Sequence, residues 1–256
     1  MKKSELISYL DSYLKIADFK DDSKNGLQVD TARTEIKKVG FAVDAASYIF
    51  DRAIAEKVDF LIVHHGLFWG FDTPITGVMY ERMGKLIKND IGFYGCHLPL
   101  DALKEVGNNW GLLDEFLEVS KLSDFQTEEF GEYKGNTIGA GVRFKERLSI
   151  KILQDFLESK GILYNFYDFG NIGDSFSSLA ILSGGGGDEA SEASKKGYDI
   201  YLTGEGPHYA TIITKELKQS LILGGHYETE TIGVRLLAKH LQSKFGLETV
   251  FLDEKY

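Results

Sequence analysis

The chain has 256 residues, 29 basic against 39 acidic side chains, a formal net charge of −10 and one Cys. The acidic balance argues against a general nucleic-acid-binding surface. The single Cys rules out an intrachain disulfide and suits a cytoplasmic setting. Apolar runs such as Phe60–Val63 are far shorter than the roughly 18–20 residues of a membrane span, and Glu5 and Asp11 interrupt any signal-peptide apolar region.

Leu6, Ile7, Leu10, Tyr13 and Leu14 recur at helical spacing and predict an opening amphipathic helix. Val39–Val43 and Asp59–Val63 read as buried strands around a helix over Ala45–Glu56. A helix over Val78–Lys88, a strand over Ile91–Cys96 and a helix over Leu103–Leu117 continue the rhythm, with Asp101 as a candidate N-cap for a helix from Ala102. Glu132–Phe144 reads as strands joined by turns, and Ser149 as the N-cap of a helix over Ile150–Lys160 that stops at Gly161. Alternation then resumes: strand Leu179–Leu182, helix Ala190–Lys196, strand Asp199–Thr203, helix His208–Leu217, strand Leu221–Leu223, helix Thr231–Lys244 and strand Thr249–Leu252. Such alternation predicts α/β layers with largely parallel sheets.

The two alternating regions superpose as an internal repeat. Asp59 falls on Asp199, His97 on His226 and Asp101 on Glu230, with Phe68–Gly77 as extra length in the first copy. This predicts two structurally similar α/β layered domains, residues 1–125 and 126–256, with room for elements exchanged between them. Ligands gather beyond the carboxyl ends of strands in open α/β sheets, so the expected site is a cleft between the domains.

His64-His65 follow a buried strand, where four ring nitrogens would need partners if the pair only packed. His226 and Glu230 stand at i, i+4, which puts both on one face of a helical turn. Three imidazoles and two carboxylates exceed a closed tetrahedral zinc site and suit two divalent ions bridged by a carboxylate and by water or hydroxide. The mixed donors admit Zn, Fe, Mn or Co.

Several motifs resemble the Nif-three-like family, whose bacterial members often carry the name GTP cyclohydrolase 1 type 2 homologue. They are Asn25-Gly26-Leu27-Gln28-Val29, Val63-His64-His65-Gly66-Leu67-Phe68-Trp69, His97-Leu98-Pro99-Leu100-Asp101, Ser183-Gly184-Gly185-Gly186, Thr203-Gly204-Glu205 and Gly225-His226-Tyr227-Glu228-Thr229-Glu230. The resemblance spans nearly the whole chain, in the short form without an inserted domain, and Gly66 stands where many members have Pro. It implies two interlinked α/β domains, homohexamers, and a dinuclear metal centre with ligands His64, His65, Asp101, His226 and Glu230, the last as bridge.

His97 is a candidate sixth ligand, hydrogen-bond partner or proton shuttle, and Glu230 joins it as a candidate catalytic residue. Glu205 aligns near His65 and, with His208, is a candidate for the cleft. Ser183-Gly184-Gly185-Gly186-Gly187 reads as a phosphate cradle or a tight structural turn, Cys96 as buried and His240 as a surface or packing residue. The expected function is a dinuclear metal-dependent hydrolase with a metal-bridged hydroxide as nucleophile. By resemblance its reaction is opening of the GTP imidazole ring. The rival is a non-enzymatic metal-binding or metal-handling scaffold. The partners expected are a small-molecule substrate, such as a nucleotide, and further copies of the chain, with no membrane.

Overall fold

The computed structural model describes residues 1–70 and 74–252. In chain order its elements are α1 (Lys3–Tyr13), β1 (Gly26–Val29), β2 (Lys38–Asp44), α2 (Ser47–Ala55), β3 (Phe60–His65), α3 (Gly77–Lys88), β4 (Gly92–Gly95), α4 (Leu98–Ala102), α5 (Asn108–Ser120), β5 (Phe125–Tyr133), β6 (Asn136–Ser149), α6 (Ile150–Ser159), β7 (Asn165–Tyr167), β8 (Ser175–Leu182), α7 (Ala190–Lys195), β9 (Ile200–Thr203), α8 (His208–Glu216), β10 (Ser220–Leu223), α9 (His226–Phe245) and β11 (Glu248–Phe251). The chain divides into two compact units, Met1–Gly107 with Gly233–Tyr256, and Asn108–Ile232.

The first unit is built on a five-stranded sheet in the order β1-β4-β3-β2-β11. β2, β3, β4 and β11 run parallel, and β1 pairs antiparallel with β4 at one edge. Parallel strands covered on both faces need continuous apolar runs, and Val39, Phe41 to Val43, Phe60 to Val63, Phe93 and Tyr94 are all buried. Ile49, Phe50 and Ala53 of α2 and Leu86 of α3 cover this sheet. Each such Val, Leu, Ile or Phe side chain contributes about 1.5–3 kcal/mol on burial.

The second unit has a six-stranded sheet, ordered β5-β6-β8-β9-β10-β7. β8, β9 and β10 are parallel, and β7 pairs antiparallel with β10. The β5–β6 hairpin closes on Lys134-Gly135, both with positive φ, as a two-residue hairpin turn requires. Ser149 caps α6, its side chain accepting from Lys151 N.

Each unit thus contains three consecutive parallel strands joined by helical crossovers, with a short antiparallel strand beside the third. The repeat reaches single hydrogen bonds. Asp59 Oδ2 accepts from the N–H groups of Lys37 and Lys38, at 2.9 and 3.0 Å. Asp199 Oδ2 accepts from Ser177 N at 2.6 Å and from Ser177 Oγ at 2.9 Å. Phe41 pairs with Ile62 as Ile181 pairs with Leu202, every residue 140 positions from its counterpart. Cys96 N donates to Val63 O as Gly224 N donates to Thr203 O. Gly225, at φ +87, is therefore one residue extra in the second copy before its histidine.

Several elements differ from the sequence reading. The helix expected over Leu103–Leu117 starts only at Asn108, as α5, and a separate short helix, α4, precedes the expected range. A Cβ on Gly107 would lie 2.2 Å from Leu103 O, so the chain makes a tight glycine turn between them. Asp101 is accordingly inside α4, with His97 at its N-cap position and Pro99 in its first turn. α9 begins at His226, five residues before the expected Thr231, because Gly225 supplies the turn that the apolar periodicity does not show. β1 and β7 were not anticipated; each is short and depends on tertiary pairing. Part of the extra segment expected at 68–77, residues 71–73, lies outside the described residues.

Candidate metal centre

In the first unit the carboxyl ends of β3 and β4 gather three imidazoles. β3 runs through both histidines, two residues past the expected end, because Asp44 at the end of β2 pairs with His65. The ring centroids of His64 and His65 are 4.6 Å apart, and His97 lies 5.2 and 5.7 Å from them. One nitrogen from each ring falls within 4.8 Å of the others. Asp101, on the first turns of α4, brings Oδ1 to 3.5 Å from His64 Nε2, and both residues are buried. Trp69 donates Nε1–H to Gly66 O at 2.9 Å and sets its ring 4.9 Å from His97.

In the second unit the first two turns of α9 place His226 Nε2 3.3 Å from Glu230 Oε1. Glu230 is 3% exposed. The Gly-rich turn after β8 is pressed against this pair: a Cβ on Gly184 would lie 2.1 Å from Glu230 Oε1 and 3.1 Å from His226 Nε2. Gly184 N donates to Thr229 Oγ1, Gly184 O accepts from Glu205 N, and Ser183 N donates to Asn109 Oδ1. A Cβ on Gly187 would lie 2.4 Å from Gly206 Cα. These glycines are sites of close approach, which favours the structural-turn reading over a phosphate cradle.

One pattern joins the four histidines. Nδ1 of His64 faces Cys96 O at 3.0 Å, that of His65 faces Asp44 Oδ1 at 2.6 Å, that of His97 faces Asp21 Oδ1 at 3.0 Å, and that of His226 faces Glu205 Oε1 at 2.9 Å. Carbonyls and carboxylates only accept, so the neutral form of each ring carries its proton on Nδ1 and presents Nε2 as an acceptor. At His64 and His226 that lone pair looks at a carboxylate oxygen. Two acceptors at 3.3–3.5 Å repel unless a cation stands between them. The Glu230 hydrogen bond raises His226 to about 9, against the effect of burial and with help from Glu205, so a proton satisfies this gap in the chain alone. Imidazole Nε2 and carboxylate donors, with Nδ1–H held by a second residue, fit a divalent metal.

Burial alone would raise the Asp21 carboxyl. Its hydrogen bond and charge interaction with His97, with those from Asn25 and Ser23, hold it below its ordinary range instead. Burial, then Asp101, pushes the Cys96 thiol up, which suits a packing residue rather than a nucleophile. His208 is exposed at the start of α8 and joins neither histidine set among the described residues. His240 stacks on Tyr13 at 4.3 Å and meets Tyr9 Oη at 2.6 Å, so of the two roles expected for it, surface or packing, it takes the packing one. Asp44 and Asp21 were missed. Asp44 was legible as the acid that ends the apolar strand Phe41-Ala-Val, whereas Asp21 lies in a polar run that reads as a turn.

The fold and these donor sets define an α/β protein with imidazole and carboxylate groups able to bind a metal. The profile of the Duf34/NIF3 (NGG1p interacting factor 3) family matches residues 1–256, and the chain belongs to that family. It is 39% identical over 255 residues to the GTP cyclohydrolase 1 type 2 homolog of Pyrococcus abyssi, covering 99% of this chain and 98% of that protein. The protein of the same name from Archaeoglobus fulgidus is 38% identical over 253 residues, again covering 99% and 98%. The crystal structure of TTHA1606 from Thermus thermophilus superposes with a TM-score of 0.86 at 39% identity, over 100% of this chain and 99% of that one. Reduced HcgD from Methanocaldococcus jannaschii superposes with a TM-score of 0.83 at 29% identity, over 99% and 98%. Among the described residues no helix is long and apolar enough to cross a membrane.

Proposed function

We propose that the chain is a metal-dependent hydrolase in which His64, His65, Asp101, His226 and Glu230 would hold two divalent ions. The observation that carries this reading is the facing of imidazole Nε2 atoms and buried carboxylate oxygens, His64 Nε2 with Asp101 Oδ1 at 3.5 Å and His226 Nε2 with Glu230 Oε1 at 3.3 Å, where a divalent cation would take the place of a shared proton. When bound, two such ions polarise a substrate oxygen and lower the pKa of water. The chain's own groups do the rest. Asp44 and Glu205 fix the His65 and His226 rings through Nδ1, the Gly184 turn holds Glu230 in place, and His97 moves the proton at Nε2. The donors admit Zn, Fe, Mn or Co.

The substrate class tested first is a purine nucleotide, since the curated relatives carry the GTP cyclohydrolase 1 type 2 homolog name. Hydrolytic ring opening of GTP is then the reaction, and the assay includes phosphoester and amide substrates beside it. Elemental analysis of the purified protein is expected to give two ions per chain, and Glu230→Gln to lose at least one of them together with hydrolysis. Glu230→Gln that empties a metal position and leaves hydrolysis intact would refute the catalytic role. Two tightly held ions with no turnover of any of these substrates would favour the metal-handling scaffold. The homohexamer implied by the resemblance belongs to the same reading, and a single-chain mass in light scattering would remove it.

A further inference from the structure

Asp21 is a carboxylate that the metal reading does not use, yet its side chain is only 3% exposed. Every hydrogen bond it makes is accepted. Oδ1 takes Ser23 N at 3.0 Å and His97 Nδ1 at 3.0 Å, and Oδ2 takes Asn25 Nδ2 at 2.8 Å and Leu98 N at 3.1 Å. Asn25 Oδ1 accepts from His97 N at 2.7 Å. The segment before β1 therefore grips His97 twice, once at its backbone and once at its ring. It also starts α4, whose Leu98 N–H is one of the donors. A carboxylate surrounded only by donors stays an acceptor and can hold only one of the two neutral forms of the imidazole.

We propose that Asp21 is a positioning residue that fixes His97 as the proton acceptor of the site, by holding its ring as the Nδ1–H tautomer with the Nε2 lone pair available. This inference rests on the proposed function for its setting, because it assigns a direction to the proton transfer at His97. A proton taken at Nε2 from the attacking water leaves hydroxide to form the new bond and turns the ring into an imidazolium. Its charge is then offset by ionised Asp21 at the other nitrogen, and the proton returns from Nε2 to the departing group. Asp21 itself never carries that proton. The partner carboxylate is 76 residues away in the chain, so Asp21 acts only in the folded unit.

The test uses the full chain labelled with 15N-histidine and stripped of metal by chelator, at about pH 8, well above the ordinary imidazole pKa of about 6.5. Two-bond 1H–15N correlation spectra report the tautomer of each ring, and loss of one set in His97→Gln assigns His97. The wild type is expected to show His97 as Nδ1–H. Asp21→Asn replaces one acceptor with an N–H₂ group that must face a donor, so its His97 tautomer ratio is expected to move at least tenfold toward Nε2–H, with the Asp44-backed His65 unmoved. A wild-type His97 protonated on Nε2 overturns the proposal. So does an Asp21→Asn protein that is less stable but keeps the wild-type tautomer, because Asp21 would then only tie the turn together. Should Asp21→Asn fail to fold, the wild type decides through its Nδ1–H: protection from solvent exchange supports the proposal and free exchange overturns it. No metal is present in these measurements, so failure of the hydrolase reading would appear separately, in metal stoichiometry and turnover.

Discussion

Gly184→Ala separates the cost of a backbone conformation from the cost of moving a ligand. Gly184 has φ +64, and an added Cβ would lie 2.1 Å from Glu230 Oε1. The left-handed backbone costs an L-residue about 1–2 kcal/mol. The carboxylate must retreat by about 1 Å to reach ordinary contact, and metal sites tolerate displacements of only about 0.2 Å in their donors. Gly197 is the control, since it has φ +69 and nothing within 4 Å of its Cβ position. In chelator, Gly184→Ala and Gly197→Ala are expected to lower the melting temperature by similar amounts, at about 2–4 °C per kcal/mol for a chain of this size. Elemental analysis after dialysis against each metal then reads the second cost. Gly197→Ala should bind metal as the wild type does, and Gly184→Ala should lose the ion held by Glu230. If Gly184→Ala retains full metal content, the turn after β8 does not set the position of Glu230 for metal and the reasoning fails.

Replacing the residues behind the imidazoles should weaken metal binding without removing a ligand: Asp44→Asn and Glu205→Gln are each expected to raise the metal Kd about 10–100-fold, measured by competition with a chromogenic chelator. Imidazoles bind metal only when neutral, so dialysis below pH about 6 should release the ions, and retention of both well below pH 5 would count against histidine ligation. Burial, then the charge of Lys244, lowers His240 from its ordinary value. As pH falls through about 6.5 the unfolded chain therefore binds this proton before the folded one does. The resulting stability loss runs from about pH 6.5 down to the folded pKa, and metal-free His240→Gln should show a shallower fall in denaturant midpoint over that window.

The parts of this protein most visible in its sequence were those that bury apolar area. β2, β3, β8, β9 and β10 are runs such as Phe60-Leu-Ile-Val, which must be covered on both faces, and their positions follow from that requirement. Ser149 and Gly161 bounded α6 because capping is local chemistry. β1 and β7 were invisible for the opposite reason: four and three residues, with Gln28 and Asn165 among them, become strands only by pairing with β4 and β10. At the site, histidines at strand ends and the i, i+4 spacing of His226 and Glu230 pointed to chemistry. What no spacing conveyed was which nitrogen each ring offers. That depends on acceptors brought from elsewhere in the chain: Asp44 from β2, Asp21 from before β1, Glu205 from beyond β9 and the carbonyl of Cys96.

The repeat explains why the two units use these acceptors differently. His65 and Glu205 occupy equivalent positions at the carboxyl end of the second strand, and Asp44 and Gly184 equivalent positions at that of the first, each pair 140 residues apart. In the first unit the first strand supplies the carboxylate and the second supplies the imidazole, so Asp44 backs His65. In the second unit the second strand supplies the carboxylate instead, and Glu205 backs an imidazole on α9. With Gly184 in place of an acid, the end of the first strand carries no side chain, and the space goes to Glu230. A carboxylate–imidazole pair is thus produced in both units from different positions. What the units share is the requirement that Nδ1–H be held and Nε2 be presented, rather than the identity of the residue at any one place.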